Sequence, residues 1–371
     1  MTRILIAGLK EPPGGVESAV LAYTDNFSAS EITADFAFIC GEVSFSDRIK
    51  NGRALYLPNR IKHPLLYRKR LREIFSEGKY DALWCNYSGL TNIDFLQAAK
   101  KYGVKTRIIH AHTSMHSWGN ALMKYLVPYF HNKNQKKIEK YTTDFWACSK
   151  KSAEFMFGES IAKKTTVIPN GVDTDKFFRD KKTKAEVCKE FGIPEDSIII
   201  SHVGRMCTEK NQTFLLDILQ EAVKVNSKVK LLFIGDGELR DSIMNYANEI
   251  SVTDSVIFTL SRKDIPRLLS AADVFLLPSL TEGFPVTVVE AQAADVPSVV
   301  SKEAVVQEAD LTDTLAFVSL QKSASEWAEI TLKAAEKSPA GGKAILKEKG
   351  FDCKTEALKI QKFFKGDKTV L

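Results

Sequence analysis

No two cysteines in this chain are spaced as Cys-x-x-Cys. The six, Cys40, Cys85, Cys148, Cys188, Cys207 and Cys353, are scattered, most of them inside apolar runs. Reduced core thiols fit that pattern better than disulfides or zinc ligands. A Gly-x-Gly-x-x-Gly fingerprint is also missing, which counts against a nicotinamide-dependent dehydrogenase. No apolar run approaches the roughly 20 residues that cross a bilayer. The start, Met1-Thr2-Arg3-Ile4-Leu5-Ile6-Ala7-Gly8, enters a strand-like run directly and lacks the layout of a secretory signal. The expected location is therefore cytoplasmic. Charge of one sign is scarce too, since the net balance is only +6 and no DNA- or RNA-reading motif accompanies it. Nucleic acid is accordingly not an expected partner. What is present, 371 residues with 44% hydrophobic and 26% charged, is the composition of a globular protein with room for two ordinary domains.

Short apolar runs alternate with helical patterns along the whole N-terminal half. Strands are expected at residues 3–7, 35–39, 54–57, 81–86, 106–111, 144–149 and 165–169. Helices are expected at 16–27, 67–75, 92–102, 121–141 and 150–157. Near-continuous apolar strands separated by helices predict a parallel sheet covered on both faces. A polar passage, 173–184, follows, and the alternation restarts at Ile198. Two doubly wound domains are expected, with a hinge near Asn170-Gly171-Val172-Asp173, and the tail from Gly342 to Phe364 reads as helix.

Chemistry concentrates at the strand ends of the second half. The apolar run Val274 to Leu277 stops at Pro278-Ser279-Leu280-Thr281-Glu282-Gly283-Phe284-Pro285, and a helical segment, 286–294, carries Glu290. Amides at such a helix start favour a phosphate or a sugar hydroxyl. Two acceptors about two helical turns apart suit two hydroxyl-rich rings of one ligand. Glu-x7-Glu alone decides nothing, and solvated glutamates are its ordinary explanation. Its neighbours add weight. Val203-Gly204-Arg205 closes the run from Ile198, and Lys210-Asn211 precedes the helical pattern 212–225. Two cations at a strand mouth suit a pyrophosphate. Leu231 to Leu239, containing Gly235-Asp236-Gly237, repeats the strand-then-glycine plan, as does Leu260-Ser261-Arg262 with a polar end. Open parallel sheets bind ligands at such ends.

This order and spacing resemble the C-terminal half of family 4 glycosyltransferases of the GT-B fold, and the resemblance extends over nearly the whole chain. It implies two Rossmann-like domains facing a central cleft: residues 1–170 on the acceptor side, 171–345 binding the nucleotide sugar, and a helix in 346–371 returning to the first domain. It implies a retaining, metal-independent hexosyltransferase whose substrate is a nucleoside-diphosphate sugar, with a UDP-sugar as the expected donor. Arg205 and Lys210 would neutralise the departing diphosphate, and Glu290 would hold the ribose. Glu282, with the backbone of Gly283, Phe284 and Pro285, would hold the donor hexose. Gly204 ends the strand beneath the two cations, and the backbone near Arg262 resembles the base-binding loop. Val167 to Asp173 resembles the interdomain connection.

The N-terminal half offers two matches. Pro12-Pro13-Gly14-Gly15-Val16-Glu17 resembles the family's Gly-Gly-x-Glu loop, where Gly14 and Gly15 let a ligand approach the backbone; an ordinary tight turn is the alternative. Ile109-His110-Ala111-His112-Thr113-Ser114 places two histidines on one strand face. No acidic or cysteine partner completes a metal set, so His110 is expected in the core. His112 fits the family position that faces the donor sugar.

Basic residues cluster with aliphatics at 60–72 and 124–141, and a basic amphipathic helix can lie on an anionic membrane, though a solvated face is the usual explanation. A saccharide or lipid-linked acceptor at the inner membrane face is expected, in exopolysaccharide or capsule synthesis. The pattern departs from the family at Asp295, where glycine is usual, and at 301–308, which lacks a Gly-Gly pair. A GT-B nucleotide-sugar epimerase and a non-catalytic nucleotide-sugar-binding subunit are the competing readings. A glycosidase is not, because no carboxylate pair flanks one bond.

Overall fold

The structure is a computed structural model that describes residues 1–11, 14–39, 41–113 and 123–371. The chain divides into two units, Met1–Gly171 with Cys353–Leu371, and Val172–Asp352.

In the first unit the apolar runs form β1 (Thr2–Ala7), β2 (Ile32–Ile39), β3 (Ala54–Leu57), β4 (Ala82–Tyr87), β5 (Thr106–Ala111), β6 (Asp144–Ala147) and β7 (Thr166–Val167). They pair in parallel as β3-β2-β1-β4-β5-β6-β7. The strand period of two divides their side chains between two cores. Leu5, Leu83, Cys85 and Ile109 face one, while Ile4, Ile6, Trp84, Ile108 and Trp146 face the other. The second core is closed by the helix Cys353–Phe364, whose Phe363 ring sits 5.0 Å from Trp146.

The second unit repeats the plan with β8 (Ile198–Val203), β9 (Val229–Ile234), β10 (Val256–Leu260), β11 (Val274–Leu277), β12 (Ser298–Ser301) and β13 (Leu315–Val318). The parallel order is β10-β9-β8-β11-β12-β13. The order reverses between β8 and β11, so the loops leaving their C-terminal ends lie side by side, which is where such sheets bind ligands.

Two expected helices are shorter than the pattern suggests. The pattern 342–364 breaks into Gly342–Glu348 and Cys353–Phe364, with Gly350 between them at φ +79°. The first piece belongs to the second unit, so the chain returns at Cys353 rather than at residue 346. The helix expected at 121–141 runs Met123–Gln135, and a 3-10 turn, Ile138–Lys140, follows. It ends where the Asn134 and Gln135 amides turn onto the carbonyls of Leu90 and Met156. Residues 121 and 122 lie outside the described residues, as do Ser114 and His116.

Candidate active site

The loop after β8 descends through Gly204 and Arg205 to a 3-10 turn, Thr208–Lys210, and the helix Gln212–Val225 follows. Asn211 makes the junction at φ +55°, a conformation asparagine tolerates better than most residues. Its Nδ2 donates to the Pro278 carbonyl at 3.0 Å, and Leu280 N donates to the Glu209 carbonyl at 2.8 Å. The β8 and β11 loops are thus stitched together by one side-chain and one main-chain hydrogen bond. Neighbouring glycines permit close stacking. A Cβ on Gly235, which sits at φ +144°, would lie 2.0 Å from the Gly204 carbonyl oxygen.

On this frame Lys210 Nζ reaches Glu282 Oε1 at 2.7 Å, and Ser279 Oγ donates to the same oxygen at 2.6 Å. Both partners are mostly enclosed, with 20% of the Lys210 side chain and 9% of the Glu282 side chain exposed. The structure therefore brings together two residues that the sequence assigned to neighbouring parts of one ligand, the diphosphate and the hexose. Arg205 is exposed and makes no ion pair among the described residues. Pro285 caps the helix Val286–Ala293. Phe284 turns inward and stacks on Phe351 at 5.6 Å, so only its backbone, with that of Gly283, can meet a ligand.

Glu290 lies on the inner part of that helix. Some of the residue reaches solvent, but its carboxyl is desolvated, and burial pushes its pKa up to about 7. No partner holds that carboxyl among the described residues. The Arg262 guanidinium, by contrast, is held by two acids: Nε donates to Asp264 at 2.8 Å and Nη2 to Glu190 at 2.9 Å. Its main chain, not its side chain, is what remains for a base. Asp295 takes φ +55° where glycine was the expected residue, and its Oδ1 accepts from Gly342 N at 2.8 Å, so the turn survives the departure.

In the first unit, Glu17 accounts for the glycine loop. Its carboxylate accepts from Lys10 N and from Gly14 N, each at 2.8 Å, at the start of the helix Gly15–Thr24. A Cβ on Gly14 would meet only Glu17 Oε2, at an ordinary 3.5 Å. The unit's packing does not require glycine there.

His110 is a core histidine, as expected. Its Nε2 donates to the Ile168 carbonyl at 3.2 Å and its Nδ1 accepts from Trp84 Nε1 at 3.3 Å. His112 is held from two sides. Its Nδ1 lies 3.2 Å from Asn170 Oδ1 and its Nε2 lies 2.9 Å from Asn86 Oδ1. Burial pushes its pKa down to about 4, so the ring is neutral and has a single N–H. Turning the Asn86 amide, whose Nδ2 otherwise has no partner, satisfies both ring nitrogens. Neither nitrogen is then left for a sugar hydroxyl unless an asparagine gives way. Asn86 and Asn170 carry no sequence signal for this role, because a lone asparagine at a strand end reads as a turn.

Fold and strand-end chemistry together define a GT-B sugar-nucleotide enzyme. The chain matches the profile of "Glycosyltransferase Family 4" over residues 13–176 and that of "Glycosyl transferases group 1" over residues 183–338. It belongs to the family 4 glycosyltransferases. It is 28% identical over 334 residues to the inferred glycosyltransferase EpsF of Bacillus subtilis, covering 87% of this chain and 85% of that protein. Over 141 residues it is 35% identical to the Escherichia coli UDP-Gal:alpha-D-GlcNAc-diphosphoundecaprenol alpha-1,3-galactosyltransferase, covering 37% and 36% of the two chains. Among solved structures, Anabaena HepE in complex with UDP superposes with a TM-score of 0.78 at 17% identity, over 98% of this chain and 100% of that one.

Proposed function

We propose that this glycosyltransferase moves a hexose-type sugar from a UDP-sugar to a saccharide or lipid-linked acceptor in surface polysaccharide synthesis, retaining the anomeric configuration and using no metal ion. One observation carries the reading: the paired loops after β8 and β11 bring Lys210 onto Glu282, with Arg205 on the same β8 loop and a desolvated Glu290 on the helix that follows the β11 loop. Cleaving the sugar–phosphate bond places growing negative charge on the diphosphate. Lys210, held by Glu282, is a fixed cation at the strand end where that charge would appear, and Arg205 on the same loop adds a second; pre-organised charge is the largest common contribution to catalysis. Lys210 has three N–H donors and gives one to Glu282, so two remain for phosphate oxygens.

Glu282 Oε1 is occupied by Lys210 and Ser279, and Oε2 is the oxygen left for a donor hydroxyl. The attacking acceptor hydroxyl loses its proton to a donor phosphate oxygen, and the glycosidic bond forms as UDP leaves. Glu290, once ionised, accepts from the ribose. Asp173-Thr174-Asp175 has metal-motif spacing, but Asp173 caps a 3-10 turn and Lys343 pairs with Asp175 at 2.5 Å. A UDP donor and a lipid-linked acceptor are supported by the UDP complex of HepE and by the substrates in the galactosyltransferase's name.

Contact with an anionic membrane is the remaining part of the reading. No helix among the described residues is long and apolar enough to cross a membrane. The helix Met123–Gln135 nevertheless exposes Tyr125, Leu126, Tyr129 and Phe130, and Pro64–Gly78 exposes Leu65 and Leu66 beside Arg68, Lys69 and Arg72. Incubation with candidate UDP-sugars, with and without a lipid-linked saccharide, tests the function. Acceptor-dependent UDP release supports transfer. Inversion at a ring carbon without release would make the protein an epimerase, and binding without turnover would make it a subunit.

A further inference from the structure

Beneath the Arg205–Lys210 loop lies a buried polar chain to which neither the sequence motifs nor the proposed chemistry gives a role. His202, on β8, and Gln212, the first residue of the following helix, are both essentially inaccessible to solvent. His202 Nδ1 lies 2.9 Å from the Leu276 carbonyl of β11. A carbonyl only accepts, so Nδ1 carries the proton, and burial keeps the ring neutral. Nε2 is then an acceptor. It faces Gln212 Nε2 at 3.4 Å, and that same amide nitrogen donates to the Arg205 carbonyl at 2.8 Å. Every donor and acceptor role in the series is thereby fixed: Leu276 carbonyl, His202, Gln212, Arg205 carbonyl.

One atom in the series is left over. Gln212 Oε1 is buried and has no partner. An orphaned buried carbonyl is destabilising, and an apolar side chain would fill the same space without that cost. The amide is worth keeping for its donors, which meet the Arg205 carbonyl on the loop and His202 Nε2 on the strand beneath it. Space around the loop is tight as well. A Cβ on Gly204 would sit 3.3 Å from His202 Nε2 and 3.4 Å from Lys210 Cε, so imidazole, glycine backbone and lysine stem are in contact.

We infer that His202 and Gln212 are positioning residues: they tie the main chain of Arg205 to β11 and so set where Arg205 and Lys210 present their charge. The inference rests on the reading that these two cations hold the diphosphate. β11 also leads into the Glu282 loop, so the tether keeps both halves of the donor site in one register. Neither residue touches the ligand. Their effect is therefore specific to the part of the ligand that Arg205 and Lys210 meet.

The test compares UDP with UMP, which lacks the outer phosphate, by calorimetry on the intact chain. Gln212→Met keeps the length of the side chain and removes both donors. It should weaken UDP binding about tenfold, the scale of one lost hydrogen bond's organisation, while UMP affinity stays within about twofold. His202→Asn retains a donor for Leu276 but nothing for Gln212 and should behave alike. It carries the test if Gln212→Met does not fold. His202→Gln, which can present an acceptor where Nε2 stands, should recover most of the UDP affinity. Equal losses for UDP and UMP would show a merely structural role and overturn the inference, as would a folded Gln212→Met with wild-type UDP affinity. Lys210→Ala is the control. If it narrows the UDP–UMP gap and Gln212→Met does not, the positioning role alone fails. If Lys210→Ala leaves the gap intact, the diphosphate lies elsewhere and the inference falls with that reading.

Discussion

Glu290 offers the sharpest test of the donor site, because its ionisation and its proposed task are coupled. Burial moves its pKa from 4.5 up to about 7. A carboxylate accepts from a ribose diol, whereas a protonated acid has lost part of that capacity, so the ionised form is the binding form. With a midpoint of about 7, roughly a tenth of the molecules are ionised at pH 6 and roughly nine tenths at pH 8. Donor affinity should therefore rise roughly tenfold across that interval and level off above it. UDP-glucose is a suitable probe, since both of its phosphates are esterified and do not titrate in this range. Calorimetry at several pH values, in buffers of different ionisation enthalpy, reads both the affinity and the proton released on binding. Glu290→Gln should abolish the slope. A slope that persists in the variant, or its absence in the wild type, refutes the assignment. Stability follows the opposite sign. The folded chain holds a proton that the unfolded chain gives up, so stability falls between pH 4.5 and about 7, by about 3 kcal/mol at most, and is flat above. Glu290→Gln should accordingly melt higher than the wild type at pH 8 and gain nothing near pH 4.5.

Lys210→Ala should lower the transfer rate by roughly two to three orders of magnitude, as loss of one transition-state charge stabiliser does; near-normal turnover by a folded variant would put the diphosphate site elsewhere. Activity should persist in excess EDTA, and loss that manganese or magnesium restores would show that a metal does the work assigned here to Arg205 and Lys210. The protein should sediment with anionic but not neutral liposomes, and high salt should release it, because such attraction is screened over roughly 10 Å at 0.1 M ionic strength. Exchanging Lys62, Arg68, Lys69 and Arg72 for glutamine should reduce sedimentation without changing UDP affinity. Arg70 is left out of that set because it pairs with Glu73 at 3.2 Å. Salt-insensitive sedimentation would instead point to insertion of Tyr125, Tyr129 and Phe130.

Legibility in the sequence follows how local each signal is. β1, β5 and β8 lie close to their apolar runs because strands buried on both faces keep adjacent apolar residues, as at residues 4–6, 108–109 and 198–200. β12 and β13 are as short as β3 and β11, but unlike those two they have no proline directly after them to mark their ends. The pattern 342–364 looked continuous because apolar periodicity carries across Gly350, and only a tertiary choice divides it between the two units. The candidate site behaved in the same way. Arg205, Lys210, Glu282 and Glu290 announced themselves by lying at strand ends beside glycine and proline. His202 and Gln212 did not, because a histidine inside a strand and a glutamine at a helix start have ordinary structural explanations. His112 was legible as a position, but its asparagine partners lie 26 and 58 residues away along the chain.

The Lys210–Glu282 pair changes how the donor site must work. Read from sequence, the lysine goes to the diphosphate and the glutamate to the hexose, with nothing to couple them. At 2.7 Å and with little solvent they cannot be independent. Removing Glu282 takes away both the oxygen that orients the ammonium and the charge that offsets it. The ammonium would then meet the diphosphate from a less fixed position, though with more net positive charge nearby. Removing Lys210 leaves a largely enclosed carboxylate held only by Ser279 and repelling the ligand's phosphates. The energies of the two changes should therefore be non-additive, with the double variant less impaired in UDP binding than the sum of the singles. Such coupling suits transfer. As the sugar gains positive character and the diphosphate negative charge, one ion pair would, in the proposed donor placement, lie beside both, its carboxylate at the hexose and its ammonium at the leaving group. A single rigid pair, fixed by the bonds between the β8 and β11 loops, can answer both charges without moving.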